Sequence, residues 1–183
     1  MMQDKIEAAD DRPQADEATA SRRYVLTGAA GLAASVSVAT PVLAQSAPPP
    51  DLRFFNPDTL SKPLGQYSHM TRVKASEFLF IAGQVAVNAS GTPVGVDDFG
   101  AQCVQAFANI EAALKSAGAG FNNVVEFTTY LVHSQDIPKF MKFRLREFPK
   151  MFAGGAYPPN TLVVIDRLVS EAFLIEVQTV AAL

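Results

Sequence analysis

The chain has no tryptophan, a single cysteine (Cys103) and only two histidines (His69 and His133) in 183 residues. One cysteine excludes an intramolecular disulfide, and two isolated histidines do not make a ligand set, so neither a structural zinc site nor any other metal centre is expected. Charge of either sign is also scarce. Fifteen Lys and Arg stand against eighteen Asp and Glu, a net −3. That balance argues against a protein whose main partner is nucleic acid, which needs an excess of basic residues. What is abundant is apolar: 49% of residues are hydrophobic and 18% charged, the composition of a globular protein. The length suits one domain and is too short for two ordinary ones.

The first twenty residues are polar and charged without periodicity. Then Ser21-Arg22-Arg23-Tyr24-Val25-Leu26 leads into an uncharged run from Thr27 to Leu43, rich in Ala, Gly, Ser and Val, that ends in Val42-Leu43-Ala44. A charged region, a moderately apolar region and small residues at a cleavage point describe a signal peptide. The adjacent arginines resemble the twin-arginine export signal, an address read by a receptor and not an anchor. A retained membrane helix is the competing reading. The run is short and alanine-rich with Pro41 near its end, which favours export over stable membrane insertion. Residues 1–44 are therefore expected to be a signal peptide removed on export, with a periplasmic mature protein. Cleavage after Ala44 leaves 139 residues carrying 11 Lys and Arg against 12 Asp and Glu, a net −1. Residues 45–53, with three consecutive prolines at 48–50, are expected to be an extended linker, and 54–183 the domain.

Within the domain, Gln66–Val73 and Glu77–Ala82 are strand-like runs whose closeness suggests a hairpin. Phe99, Cys103, Phe107, Ile110 and Leu114 recur at helical spacing, which predicts a helix over 97–117 with Asp97 as N-cap and Gly118 as stop. Cys103 lies on that stripe and reads as a buried structural thiol rather than a nucleophile. Val124–Val132 is a further strand. Ile137, Met141, Leu145, Phe148 and Phe152 mark a second amphipathic helix, with Pro138 tolerated in its first turn and Pro149 expected to kink or end it. Lys139, Lys142, Arg146 and Lys150 form a basic stripe, read as a solvated face in preference to an anion- or RNA-binding one.

The chain closes with two β-branched runs, Leu162–Ile165 and Phe173–Ala181, separated by a short polar link and expected to pair. In the second, Glu176 and Gln178 alternate with Ile175, Val177 and Val180, leaving one polar face. A carboxylate in so apolar a run is costly to bury without partners, which singles out Glu176. The order strand, strand, helix, strand, helix, strand, strand predicts an α+β fold, one mixed sheet with two helices on one face. The other sheet face then needs cover, which self-association would supply, with ligand grooves between subunits.

The segments Gly65-Gln66-Tyr67-Ser68, Phe80-Ile81-Ala82-Gly83-Gln84, Asn109-Ile110-Glu111-Ala112-Ala113-Leu114, Ala117-Gly118, Val124–Leu131 and Ile175–Ala181 together resemble the RidA (YjgF-like) family. The resemblance runs from about Phe54 to the C-terminus. It implies a chorismate-mutase-like fold, a homotrimer with sites in the intersubunit clefts, and hydrolysis of reactive enamines and imines of a small molecule without metal or organic cofactor. It also implies site residues. Glu176 corresponds to the glutamate that positions a water, Gly83 and Leu162 to backbone groups that contact substrate, and Tyr67 to an aromatic lining the cleft. Asn160 stands where the deaminases carry the arginine that clamps the substrate carboxylate, and Ala82 replaces a frequent serine. The missing arginine leaves two readings: an imine deaminase suited to neutral substrates, or a non-catalytic trimeric ligand-binding protein of the envelope. A ribonuclease role, described for some relatives, fits poorly with the charge balance.

Overall fold

In the computed structural model, which describes residues 49–183, alternating and helical apolar patterns become β1 (Asp51–Phe55), β2 (Met70–Lys74), β3 (Phe78–Gln84), α1 (Phe99–Ser116), β4 (Val124–Leu131), α2 (Ile137–Met151), β5 (Asn160–Val164) and β6 (Ile175–Ala182). Residues 1–44 and 45–48, read above as signal peptide and start of the linker, lie outside the described residues. Of that expected linker, residues 51–53 belong instead to β1. Asp51–Phe55 pairs antiparallel with β2, Asp51 opposite Lys74 and Phe55 opposite Met70, so the ladder begins directly after Pro50.

A four-stranded sheet in the order β3-β6-β4-β5 forms the centre, with β4 and β5 parallel and the other pairs antiparallel. This corrects two expected pairings. The second and third strands do not form a hairpin, because β2 is taken by β1 and β3 lies along β6. The two closing runs do not pair either, because β4 lies between them. Proximity in sequence was a poor guide here, since the inward residues of β6 need neighbours on both edges to be covered. Ile175, Val177, Thr179 and Ala181 all point inward and are buried, so Val180 belongs to the outward face with Glu176 and Gln178.

Both helices pack on the inward face of this mixed sheet, an α+β architecture. Phe99, Cys103, Phe107, Ile110 and Leu114 of α1 are buried as the spacing required. Its cap is Asp98 rather than Asp97. The Asp98 carboxylate accepts from the Ala101 N–H at 3.0 Å, while Asp97 sits at φ 65° in the turn before it. In α2 the buried stripe is displaced from the expected one. Asp136, Phe140, Arg144, Phe148 and Phe152, each four residues apart, are buried, whereas Leu145 is 63% exposed. The phenylalanines decide the face: Phe107 contacts Phe127, Phe143 and Phe148 with ring centroids 5.2–5.6 Å apart, a geometry favourable for aromatic pairs. Pro149 lies in the last turn, and α2 stops two residues later with the Phe152 N–H on the Phe148 carbonyl.

Candidate ligand-binding site

Between Ile81 and Gln84 the β3–β6 ladder slips by one residue: Ile81 pairs with Thr179 and Gln84 with Val177. Such a bulge breaks the ladder and redirects the strand. Gly83 lies in it, and Gln84 turns its side-chain amide back to the Ala82 carbonyl at 3.0 Å. The Glu176 carboxylate occupies the space that a Cβ at Gly83 would fill. Glycine is required there by this close approach and not by a left-handed backbone. On the other side of Glu176 the cross-strand neighbour is Tyr130, and beyond it Thr128 faces Gln178. The outward face thus carries a half-buried acid over the Gly83 backbone, flanked by a phenol and small polar groups, with Phe80 79% exposed farther along.

Asn160 and Leu162 lie on the opposite side. In the parallel ladder Asn160 pairs with Phe127 and Leu162 with Thr129, both inward residues. The Asn160 amide donates to Thr129 Oγ1 at 2.9 Å, and its Oδ1 is buried with no donor among the described residues. A buried amide oxygen left unpaired costs about 1–3 kcal/mol, so it needs a reason.

Tyr67 sits on the turn between β1 and β2, its ring edge-on to His69 at 5.7 Å and 5.9 Å from the guanidinium of Arg144. Arg144 is the functional candidate that the sequence reading passed over. Only 2% exposed, it lies between the rings of Tyr67, Phe140 (5.6 Å) and Phe148 (5.0 Å). One of its terminal nitrogens donates to the Gln66 carbonyl, its Nε has no partner, and no carboxylate pairs with it among the described residues. Burial lowers its pKa to about 10, partly offset by Tyr67. That depression corresponds to a cost on the order of 3 kcal/mol for keeping the charge. The available signal was the run of fours from Phe140 through Phe148, which puts Arg144 on the aromatic stripe.

Within one subunit, then, the structure brings Gly83 together with Glu176, Tyr67 together with Arg144, and Asn160 alongside Leu162 and Thr129. Glu176 and Asn160 occupy opposite faces of the sheet. A cavity of about 420 Å³ between α1 and α2 is lined by Val104, Phe107, Glu111 and Glu147 among others and includes none of these residues. No three of His, Cys, Asp and Glu converge as a metal site, and no helix is long and apolar enough to cross a membrane, among the described residues.

The mixed sheet with two helices on one face, and a sheet-borne glutamate over glycine, define a chorismate-mutase-like α+β protein of the RidA type. The sequence profile of the Endoribonuclease L-PSP family matches residues 59–183, and the chain belongs to that family, the RidA/YjgF proteins. A RutC family protein of Pyrococcus horikoshii is 33% identical over 120 residues, covering 66% of this chain and 89% of the relative. A 2-iminobutanoate/2-iminopropanoate deaminase of Dermatophagoides farinae is 21% identical over 122 residues, 67% of this chain and 89% of that one. Among solved structures, the Rid-family protein YyfB of Yersinia pestis has 33% identity and a TM-score of 0.65, over 72% of this chain and 98% of its own.

Proposed function

We propose that this protein hydrolyses a small imine or enamine in a cleft between subunits, with Glu176 holding the attacking water. The observation that carries the reading is the Glu176 carboxylate set over the Gly83 backbone at a bulge. A carboxylate there can orient a water and take its proton, and an electrophilic C=N bond needs little further activation. Water adds to the imine carbon, and collapse of the carbinolamine releases ammonia and leaves the carbonyl. The deaminase relative supports the same class of substrate.

Proteins of the RidA family are trimeric and bind small molecules. The opposite placement of Glu176 and Asn160 favours a site completed by a second copy, one subunit offering the outward face and its neighbour the β5 edge. The reading includes export: Arg22 and Arg23 direct the folded chain to the periplasm and residues 1–44 are removed.

Steady-state assays on 2-iminobutanoate generated in situ test the activity. The parent turns it over faster than buffer, and Glu176→Ala abolishes the difference. A parent no faster than buffer would leave the non-catalytic ligand-binding reading, which the absence of an arginine at Asn160 favours, and equal rates above buffer would remove Glu176 from the reaction. N-terminal sequencing from envelope fractions tests export, and an intact Met1 start in the native host would overturn it.

A further inference from the structure

We propose that Arg144 is the anion-binding residue of this site and that the ligand carries a carboxylate. The proposal rests on the reading of the Tyr67 and Asn160 region as part of a small-ligand cleft. The sequence suggests that a site without an arginine at 160 favours neutral ligands. The structure supplies a guanidinium from α2 instead, against the ring of Tyr67.

The arrangement is a poor one for a purely structural arginine. Holding the Gln66 carbonyl needs one neutral donor, yet a full charge is buried among three rings with its Nε unpaired. Buried charges are normally paired, because an isolated one loses its hydration with nothing in return. The Nε edge of a guanidinium matches two carboxylate oxygens side by side. A single cation with aromatic walls suits a planar monoanion better than a phosphate, which calls for more positive charge.

A second orphan points the same way. Phe148, stacked under Arg144, contacts Phe127 at 6.1 Å, and Phe127 is the strand partner of Asn160, whose Oδ1 also lacks a donor. An unpaired donor and an unpaired acceptor thus border one aromatic cluster.

The turn carrying Gln66 and Tyr67 covers Arg144, so the proposal requires this turn to give way for a ligand to reach the guanidinium. That turn is held by the Tyr67 N–H on the Gly65 carbonyl at 2.9 Å and a long 3.4 Å contact from the Leu64 N–H to the Tyr67 hydroxyl, with Leu64 itself exposed. The Gln66 carbonyl accepts from Arg144, and a carboxylate taking its place would exchange a neutral acceptor for a charge-assisted bond.

The test titrates butanoate and butanamide into the parent, Arg144→Gln and Arg144→Lys, followed by NMR, with thermal melts of all three. The parent should bind butanoate at least tenfold more tightly than butanamide. Arg144→Gln should erase that preference, and Arg144→Lys should retain only part of it, because lysine keeps the charge and loses the fork. Should Arg144→Gln fail to fold, the parent's preference and the lysine variant still decide. A parent that binds the two probes alike, or variants that keep the full preference, would overturn the proposal. Binding does not require turnover, so loss of imine hydrolysis alone would count against the enzymatic reading and leave this one standing or falling on the titration.

Discussion

The Glu176 carboxylate occupies the volume that a side chain at Gly83 would take, at the one point where the β3–β6 ladder slips. The two residues are therefore coupled through space. Gly83→Ala must push the carboxylate away or distort the bulge, at a cost of about 1–3 kcal/mol. In a Glu176→Ala background the obstruction is gone, and the same substitution should cost much less. Thermal or urea melts of the four proteins give the coupling directly. Equal costs in both backgrounds would mean that the bulge, and not the glutamate, needs the glycine.

Gln102 anchors the start of α1 to the segment before β6. Fully buried, it donates through Nε2 to the carbonyls of Gly95 (3.1 Å) and Ala172 (2.7 Å) and accepts the Leu174 N–H at 2.8 Å on Oε1. Gln102→Ala leaves three backbone groups to find other partners. The expected loss is about 2–4 kcal/mol of stability, because unsatisfied buried groups cost more than the bonds themselves contribute. A change below 1 kcal/mol in denaturant melts would show that the loop re-pairs by itself.

How much of this was legible in the chain depends on what each signal measured. The α1 stripe was readable because five apolar residues recur without interruption and all prove buried. The α2 stripe was not, because Arg144 and Asp136 occupy buried positions that an apolar count skips, and Leu145 offered a false alternative. Strand positions were largely visible, whereas partners were not. Nothing local in β5 and β6 indicates that β4 separates them, since pairing follows from which faces must be covered. Glu176 was legible as an acid in an apolar run. Arg144 stayed hidden because an arginine among Lys139, Lys142, Arg146 and Lys150 looks like one more surface charge.

Cys103 tests the core chemically. Burial is the main cause that raises its thiol from about 9 to about 12, with Asp136 adding to the effect. The folded thiol thus holds its proton where the unfolded one releases it. A raised folded pKa contributes stability that is complete below pH 9 and is lost as pH rises toward about 12. Cys103→Ala should remove that part of the alkaline decline, at the expense of a small cavity. In the native protein at pH 8 a thiol reagent should not react, and it should react fully in denaturant. Rapid native labelling would show that α1 opens locally.

Phe80 tests the proposed assembly. It is 79% exposed on the outward face, where its strand partner is Val180, and Phe78 and Val163 add further apolar surface to the same side. The two helices cover only the inward face. An apolar sheet face of this kind is ordinarily buried in an obligate interface. In a cyclic trimer one substitution is repeated in every interface, so its effect multiplies. Phe80→Lys places a charge in each copy of that contact and should shift the protein from trimer to monomer at micromolar concentration. Phe80→Leu keeps the apolar contact and should leave the trimer intact. Light scattering on the parent and both variants reads the outcome, against a subunit mass of 19.6 kDa for the full chain. The Phe80→Lys monomer should also lose imine hydrolysis while keeping Glu176 and Gly83, because each site then lacks its neighbour's β5 edge. A Phe80→Lys protein of unchanged mass would place the interface elsewhere, and an active monomer would show that one subunit holds the whole site.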